Sequence, residues 1–435
     1  VLNSAYSAIQ FIVPTLILIL FTPIFIKIMG DEQYGLWMLA TSALGLMGIA
    51  DFGIGTTISK FVAEFTGKQD NNSLSNVIST GLAAYIILAM ILIVPLYIFS
   101  PILALLLKPS EHVSTIQIET VIRTVSLGFI PLLLRNGTMA IPQGLQKFQI
   151  PVSFSLGYQL TNYIAALFII FSGGSIVQVV RSSVFILWLK SLAGLFVAWQ
   201  LLKPYNLCFR VLPSKKFLKR MFSFSLMTSI AGLGSQIFNF ADRIVVGIVL
   251  GLHTVAYYSI IISMAGKILQ LSGAISTSLM PAVSTWMAAG NVKKIQSYFY
   301  KSTILTLALN FFISTALLFF SDFFINIWLG SDYAGQILIP FRVAVVVYAL
   351  ISINAPAHHI SYGVGLPWLN AIASIIGGCL TIILIFKLGE KLGLLGAVIA
   401  NGGYLFVYIL LITIFFYLRS LATETTKEKE QAELA

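Results

Sequence analysis

Six ionisable side chains sit deep in stretches that are otherwise apolar. Arg135, Lys190, Arg243 and Lys267 are the cations, and Asp51 and Asp242 are the acids set against them. A charge buried among apolar residues costs a few kcal/mol or more unless it faces protein or water, so each is a candidate for function. The bland alternative is an internal ion pair or hydrogen bond that holds helices together. Two acids cannot serve four cations in that way, so about two positive charges are left over. Phosphate or diphosphate is the natural partner of such an excess, because Arg offers it a planar fork and Lys a point charge.

Helical spacing suggests which way these groups point. At 100° per residue Thr124, Gly128, Pro131, Arg135, Thr138 and Pro142 share one narrow, small and polar face, suited to a cavity. Arg123 lies about 100° off that face and near a helix end, which divides it between a cavity role and snorkelling to a surface. Ser183, Lys190 and Gly194 align on another helix, and Ser263, Lys267, Gln270 and Ser278 on a third. A further helix has two stripes, Thr228, Ser235, Asn239, Asp242 and, beside it, Ser225, Gly232, Gln236, Arg243. Adjacent in sequence, Asp242 and Arg243 point apart and need different partners. Asp51 stands in Ala50-Asp51-Phe52-Gly53-Ile54-Gly55, where the glycines permit a kink. Such an acid can bind a proton or sodium ion for coupling, or pair with Lys or Arg. The expected ligand-binding set is therefore Arg123, Arg135, Lys190, Arg243 and Lys267, with Asp51 and Asp242 in ion coupling or internal pairing.

Other chemistry is scarce. His358 and His359 have no carboxylate or cysteine at ligand spacing, so no metal site is expected. Cys208 lies in a basic loop and Cys379 in an apolar run, which indicates no disulfide. The Gly-x-x-x-x-Gly-Lys-[Ser/Thr] pattern of nucleotide hydrolysis is missing from the sequence. The longest outer loop, roughly 108 to 117, holds Glu111 and His112 and reads as a solvated loop. No cofactor and no enzymatic activity are expected.

The elements that must position these charges are membrane-spanning helices. The 435-residue chain is 58% hydrophobic and 9% charged, against roughly a quarter charged in a soluble domain, and its mean hydropathy is +0.94. A bilayer core of about 30 Å takes about 20 apolar residues per helix. Runs of that kind lie near 3–29, 35–63, 74–106, 118–143, 148–172 and 175–202, then 221–250, 254–286, 298–328, 335–362, 366–388 and 392–419. The first run opens the sequence and is followed by more of its kind, so a cleaved signal peptide is not expected.

Lys68, Lys147, the stretch Lys203 to Arg220, Lys293, Lys294, Lys427 and Lys429 fall on one side if both termini are cytoplasmic. The opposite turns at 30–33, 172–174 and 330–333 have no basic residue, and Lys108 and Lys391 are isolated exceptions. The net charge of +11 thus reads as a topology signal, not as a nucleic-acid surface.

The halves resemble each other at an offset of 221, as in Gly30 with Gly251 and Ser42 with Ser263, and at 219 for Arg123 with Arg342. The expected organisation is a six-helix bundle over 1–202, a basic cytoplasmic linker 203–220, a second six-helix bundle 221–420 and a polar cytoplasmic tail 421–435. Parallel repeats of this kind are a transporter architecture with the substrate site between halves.

The opening segment Met29-Gly30-Asp31-Glu32-Gln33-Tyr34-Gly35-Leu36-Trp37, then Asp51-Phe52-Gly53-Ile54-Gly55 and Lys60-Phe61-Val62-Ala63-Glu64, resembles the Wzx-type polysaccharide (O-antigen) flippases. Asp242-Arg243-Ile244-Val245-Val246-Gly247, Leu250-Gly251 and Val255-Ala256-Tyr257-Tyr258 repeat the pattern. The resemblance covers essentially the whole chain. It implies an all-α polytopic membrane protein of about 12 transmembrane helices, in two six-helix repeats, with the V-shaped bundle of multidrug and toxic compound extrusion (MATE) proteins. Implied cargo is an undecaprenyl diphosphate-linked oligosaccharide, flipped by alternating access across a bacterial cytoplasmic membrane. Implied partners are the lipid bilayer and a polysaccharide polymerase or other glycan-assembly proteins. A cation-coupled drug antiporter of the same fold would favour acids over bases in its cavity. A lipid II flippase would be expected to carry two more C-terminal helices, and a non-transporting scaffold for glycan assembly is the third alternative.

Overall fold

The computed structural model describes residues 2–110, 112–205, 237–277 and 279–434. Among them the chain is helical with no strand. In order the helices are α1 Leu2–Met29, α2 Asp31–Leu46, α3 Ile54–Gly67, α4 Asn71–Ile98, α5 Ser100–Leu106, α6 Thr115–Leu127, α7 Phe129–Gly144, α8 Gln149–Phe171 and α9 Ile176–Leu202. After the undescribed stretch come α10 Asp242–Leu250, α11 Leu252–Ser276, α12 Leu279–Ala288, α13 Val292–Leu329, α14 Ser331–Ser352, α15 Ala355–Gly363, α16 Pro367–Leu384, α17 Glu390–Ala400 and α18 Tyr408–Leu434. All-helical architecture follows from the apolar composition, because a helix satisfies its own backbone where no water can.

Nine helical stretches among the described residues are long and apolar enough to cross a bilayer. Three causes separate that number from the expected twelve. The run at 35–63 is broken by a 3₁₀ turn at Met47–Asp51, leaving α2 with 16 residues and α3 with 14. Of the run at 221–250, residues up to 236 lie outside the description. The last two runs join into one 55-residue stretch, Pro367–Leu421. A straight helix of that length would measure about 80 Å, too long for one crossing. The chain departs from helical geometry within it, at Gly393 (φ 58°, ψ −135°).

The outward faces are apolar. Phe319 is 79% exposed and Phe168 74%, a surface that belongs in hydrocarbon and not in water. Interior contacts are built on small residues. A Cβ at Gly194 of α9 would lie 2.7 Å from Thr138 Oγ1 of α7, so the glycine lets the two helices close up. The Thr138 face of α7 is accordingly buried against α9. This corrects the expected cavity face: Pro131, Thr138 and Pro142 are packing residues.

By contacts the chain divides into two compact units, Val1–Ala256 and Tyr257–Ala435. The first contains α10, which Lys108 reaches by donating from Nζ to the carbonyl of Val249 at 2.5 Å. That bond satisfies a carbonyl in the last turn of α10, where a cation is favoured, and it explains one basic residue that broke the loop pattern. The second unit has its own apolar core of Leu279, Val283, Ile295, Phe299, Ile360 and Ile414, among others.

Several local devices recur 219 to 221 residues apart. Gly30 (φ 78°) and Gly251 (φ 83°) open helices from the left-handed side of the backbone map. Asp70 caps α4 by accepting the N–H of Ser73 at 3.0 Å, and Asn291 caps α13 by accepting the N–H of Lys294 at 3.2 Å. Those same bonds to Ser73 hold the Asp70 carboxyl below the usual carboxylate range. Arg123 Nε donates to Ser100 Oγ at 3.0 Å in the first unit, and Arg342 Nε donates to Ser321 Oγ at 2.8 Å in the second. Both serines in turn donate to the carbonyl three residues earlier, Tyr97 and Leu318. Duplicated side-chain geometry of this kind is what an internal repeat leaves behind.

Candidate functional site

The polar site lies inside the first unit, where the second crossing breaks. Phe52 (φ 42°) and Gly53 (φ 66°) adopt consecutive left-handed conformations. A non-glycine residue there costs about 1 to 2 kcal/mol, and the break leaves Asp51 ahead of the N-terminus of α3. The Asp51 carboxylate accepts the Tyr85 hydroxyl and stands close to Gly55, where an added Cβ would lie 3.3 Å from Oδ1. Tyr85 of α4 is fully buried. Its ring and hydroxyl fill a slot between two glycines: a Cβ at Gly137 would stand 2.9 Å from the ring, and one at Gly55 3.1 Å from the hydroxyl.

Asp51, Gly55, Arg135, Asn136, Gln143 and Phe154 are among the residues lining a cavity of about 290 Å³ between α3, α7 and α8. Small-molecule sites run from about 300 to 1,000 Å³, so this one suits a compact polar group. Arg135 Nη2 donates to Asn136 Oδ1 at 3.2 Å, and its guanidinium carbon lies 5.9 Å from the Tyr158 ring centre. Lys190 Nζ lies 5.8 Å from the Phe154 ring centre. The same ammonium would be 2.9 Å from a Cβ at Gly157, so the missing side chain at 157 makes its berth. Among the described residues neither Arg135 nor Lys190 forms an ion pair. Each is held instead by a ring face, a cation–π contact that leaves most donors unspent.

The structure thus brings Asp51, Arg135 and Lys190 to one region and puts the other expected residues elsewhere. Arg123 forms an ion pair with Glu119 at 2.6 Å one turn away and lies over Tyr97, in addition to its bond with Ser100. Arg243 Nη1 reaches Ser42 of α2 at 3.5 Å, and its N–H donates to Asp242 Oδ1 at 2.8 Å. That places Arg243 beside the aromatic group of Tyr34, Trp37 and Tyr163. Asp242 is buried and Arg243 half-buried. Thr228, Ser235, Ser225, Gly232 and Gln236 of the two stripes, and the linker after Tyr205, lie outside the described residues. Lys267, in the second unit, donates to Gln270 Oε1 at 3.1 Å. Among the described residues no cluster of His, Cys, Asp or Glu has the arrangement of a metal site.

Tyr85, Asn136, Phe154 and Tyr158 were not singled out from sequence. A signal existed for two of them: Pro151, Phe154, Ser155 and Tyr158 recur at the i, i+3, i+4, i+7 spacing of one helix face. The internal repeat supplies another. At the offset of 221 Asp51 corresponds to Ser272, and at 219 Arg135 corresponds to Asn354. Ser272 donates to Asn310 at 2.8 Å in a neutral buried bond. The charges are therefore particular to the first unit, whereas the Arg123 and Arg342 bonds occur in both.

A second cavity in the first unit, lined by Leu36, Leu39, Leu103, Leu107, Val121 and Ile244 among others, is apolar and offers no charged group.

Residues 2–287 match the profile of the polysaccharide biosynthesis protein family. A putative O-antigen transporter of Shigella flexneri is 24% identical over 406 residues, covering 92% of this chain and 93% of its own. Among solved structures the lipid II flippase MurJ, in an inward closed conformation, aligns with a TM-score of 0.74 at 17% identity, over 95% of this chain and 87% of its own. An inward-facing MATE family multidrug resistance transporter aligns with a TM-score of 0.68 at 18% identity, over 94% and 99%. The two structures share the fold; the family profile spans well over half of this chain, and on that ground the protein belongs to the polysaccharide biosynthesis family of multi-pass membrane transporters and flippases, not to the enzymes.

Proposed function

We propose that this protein flips an undecaprenyl diphosphate-linked oligosaccharide from the cytoplasmic to the outer leaflet of a bacterial cytoplasmic membrane, for cell-surface polysaccharide synthesis. Both termini are cytoplasmic, and two six-helix bundles, 1–202 and 221–420, joined by the basic linker, alternate access between the sides. The observation that carries the reading is the cavity of the first unit, which Arg135 and one acid, Asp51, line without pairing, while Lys190 lies close by over the ring of Phe154, another lining residue. A cavity of about 290 Å³ accommodates a diphosphate and not a whole glycan. It therefore recognises the linkage common to such cargoes, while the sugars and the polyprenyl tail find room outside it. Lys267 and Arg243 contribute further positive charge along the route, and Asp51 is the candidate for ion coupling.

A drug antiporter would need acids for cationic cargo, and this cavity has a single carboxylate. Deleting the gene in a host without a redundant transporter tests the proposal. Surface glycan is expected to disappear while lipid-linked repeat units accumulate inside. Normal export in the deletion would refute it, and glycosyltransferase genes beside this one would favour glycan over drug cargo.

A further inference from the structure

Arg135 and Asp51 line the same cavity and carry opposite charges, yet they are not in ion-pair contact. Beside them on the cavity wall is the amide of Asn136, whose Oδ1 accepts from Arg135 at 3.2 Å. We propose that Asn136 is a positioning residue that keeps Arg135 from folding onto Asp51, so that the guanidinium stays available to an anionic ligand.

Two features make this physically necessary. Opposite charges in a poorly solvated cavity attract strongly, and a guanidinium with a carboxylate forms a bidentate pair wherever the stem reaches. Such a pair would neutralise the one guanidinium lining the cavity. The amide prevents it by giving the guanidinium a neutral partner of the right polarity, its carbonyl oxygen at 3.2 Å. The Tyr85 hydroxyl donates to the Asp51 carboxylate and holds it on its own side of the cavity. At the equivalent places in the second unit, Ser272 and Asn354, no charges need separating, and the residue matching Asn136 is Ala355. The amide accompanies the charge pair and is missing where the pair is missing.

The inference rests on the diphosphate reading above, and one experiment separates the two. Binding of inorganic pyrophosphate to the full-length protein in lipid nanodiscs is measured by calorimetry for wild type, Asn136→Leu, Asp51→Asn and the double variant. Asn136→Leu has nearly the same volume and no hydrogen-bonding groups, and it is expected to weaken binding by about tenfold or more. The double variant is expected to return to the affinity of Asp51→Asn alone, because the carboxylate that captures Arg135 is gone. A merely structural role for Asn136 would leave the double variant as weak as Asn136→Leu, and that result overturns the proposal. So does unchanged binding in Asn136→Leu. Should that variant fail to reconstitute, Asn136→Ala enters the same comparison. Wild type that binds no pyrophosphate would sink the diphosphate reading itself.

Discussion

Arg135 and Lys190 differ from Arg123 in how their charge is used. Arg123 is bound by Glu119, Ser100 and Tyr97, and its twin Arg342 bonds Ser321 in the same manner. Neutralising Arg123 is expected to lower thermal stability and to leave export per folded molecule near wild type. Arg135→Gln is expected to reduce export of lipid-linked glycan at least tenfold, with membrane protein level unchanged by immunoblot. Arg135→Lys restores only part of it, because a point charge does not reproduce the planar fork. Tyr85→Phe removes a hydrogen bond to a charged, partly buried acid and is expected to cost roughly 1.5 to 3 kcal/mol, read as a lower melting temperature in detergent. Residue chemistry was only partly legible from sequence. Type and depth picked out Arg135, Lys190 and Asp51. Asn136 and Tyr85 escaped because their role arises from α4 and α7 meeting α3, which no single helix records.

At the scale of elements, the second crossing carries most of the design. An acid at mid-helix followed by Phe52 and Gly53 suggested a kink, and the structure has a full break with two left-handed residues. Gly53→Ala is expected to lose about 1 kcal/mol or more by placing a Cβ in that conformation, measured by thermal unfolding. The face of α7 misled for a physical reason. Small polar residues serve close packing as well as cavities, and Gly194 opposite Thr138 decided for packing. Helix caps recur between the two halves with different chemistry, Asp70 in one and Asn291 in the other. Asp70 has a lowered carboxyl pKa through Ser73, so its cap contribution is full above the ordinary carboxylate value and is lost as pH falls through the folded one. Asp70→Asn, which installs the residue that Asn291 already uses in the other half, is expected to keep stability at pH 7 and to remove that acid-side loss.

For the whole molecule, hydropathy made the membrane setting plain, because lipid requires long apolar runs that no water-soluble core needs. Helix number was less legible: breaks at Met47–Asp51 and Gly393 divide or join runs irrespective of their hydrophobicity. The repeat was visible in scattered identities, and the duplicated caps and Arg–Ser bonds give it physical content. Its departures are the informative part, since Asp51 and Arg135 have the neutral counterparts Ser272 and Asn354. The most direct test of transport is to reconstitute the purified protein in vesicles with a lipid-linked diphosphate oligosaccharide. The readout is how fast the glycan on the inner leaflet becomes accessible to an added lectin. Flipping by wild type well above protein-free vesicles, and near background for Arg135→Gln, is the predicted result. Equal rates for wild type and protein-free vesicles, or for wild type and Arg135→Gln, would contradict it.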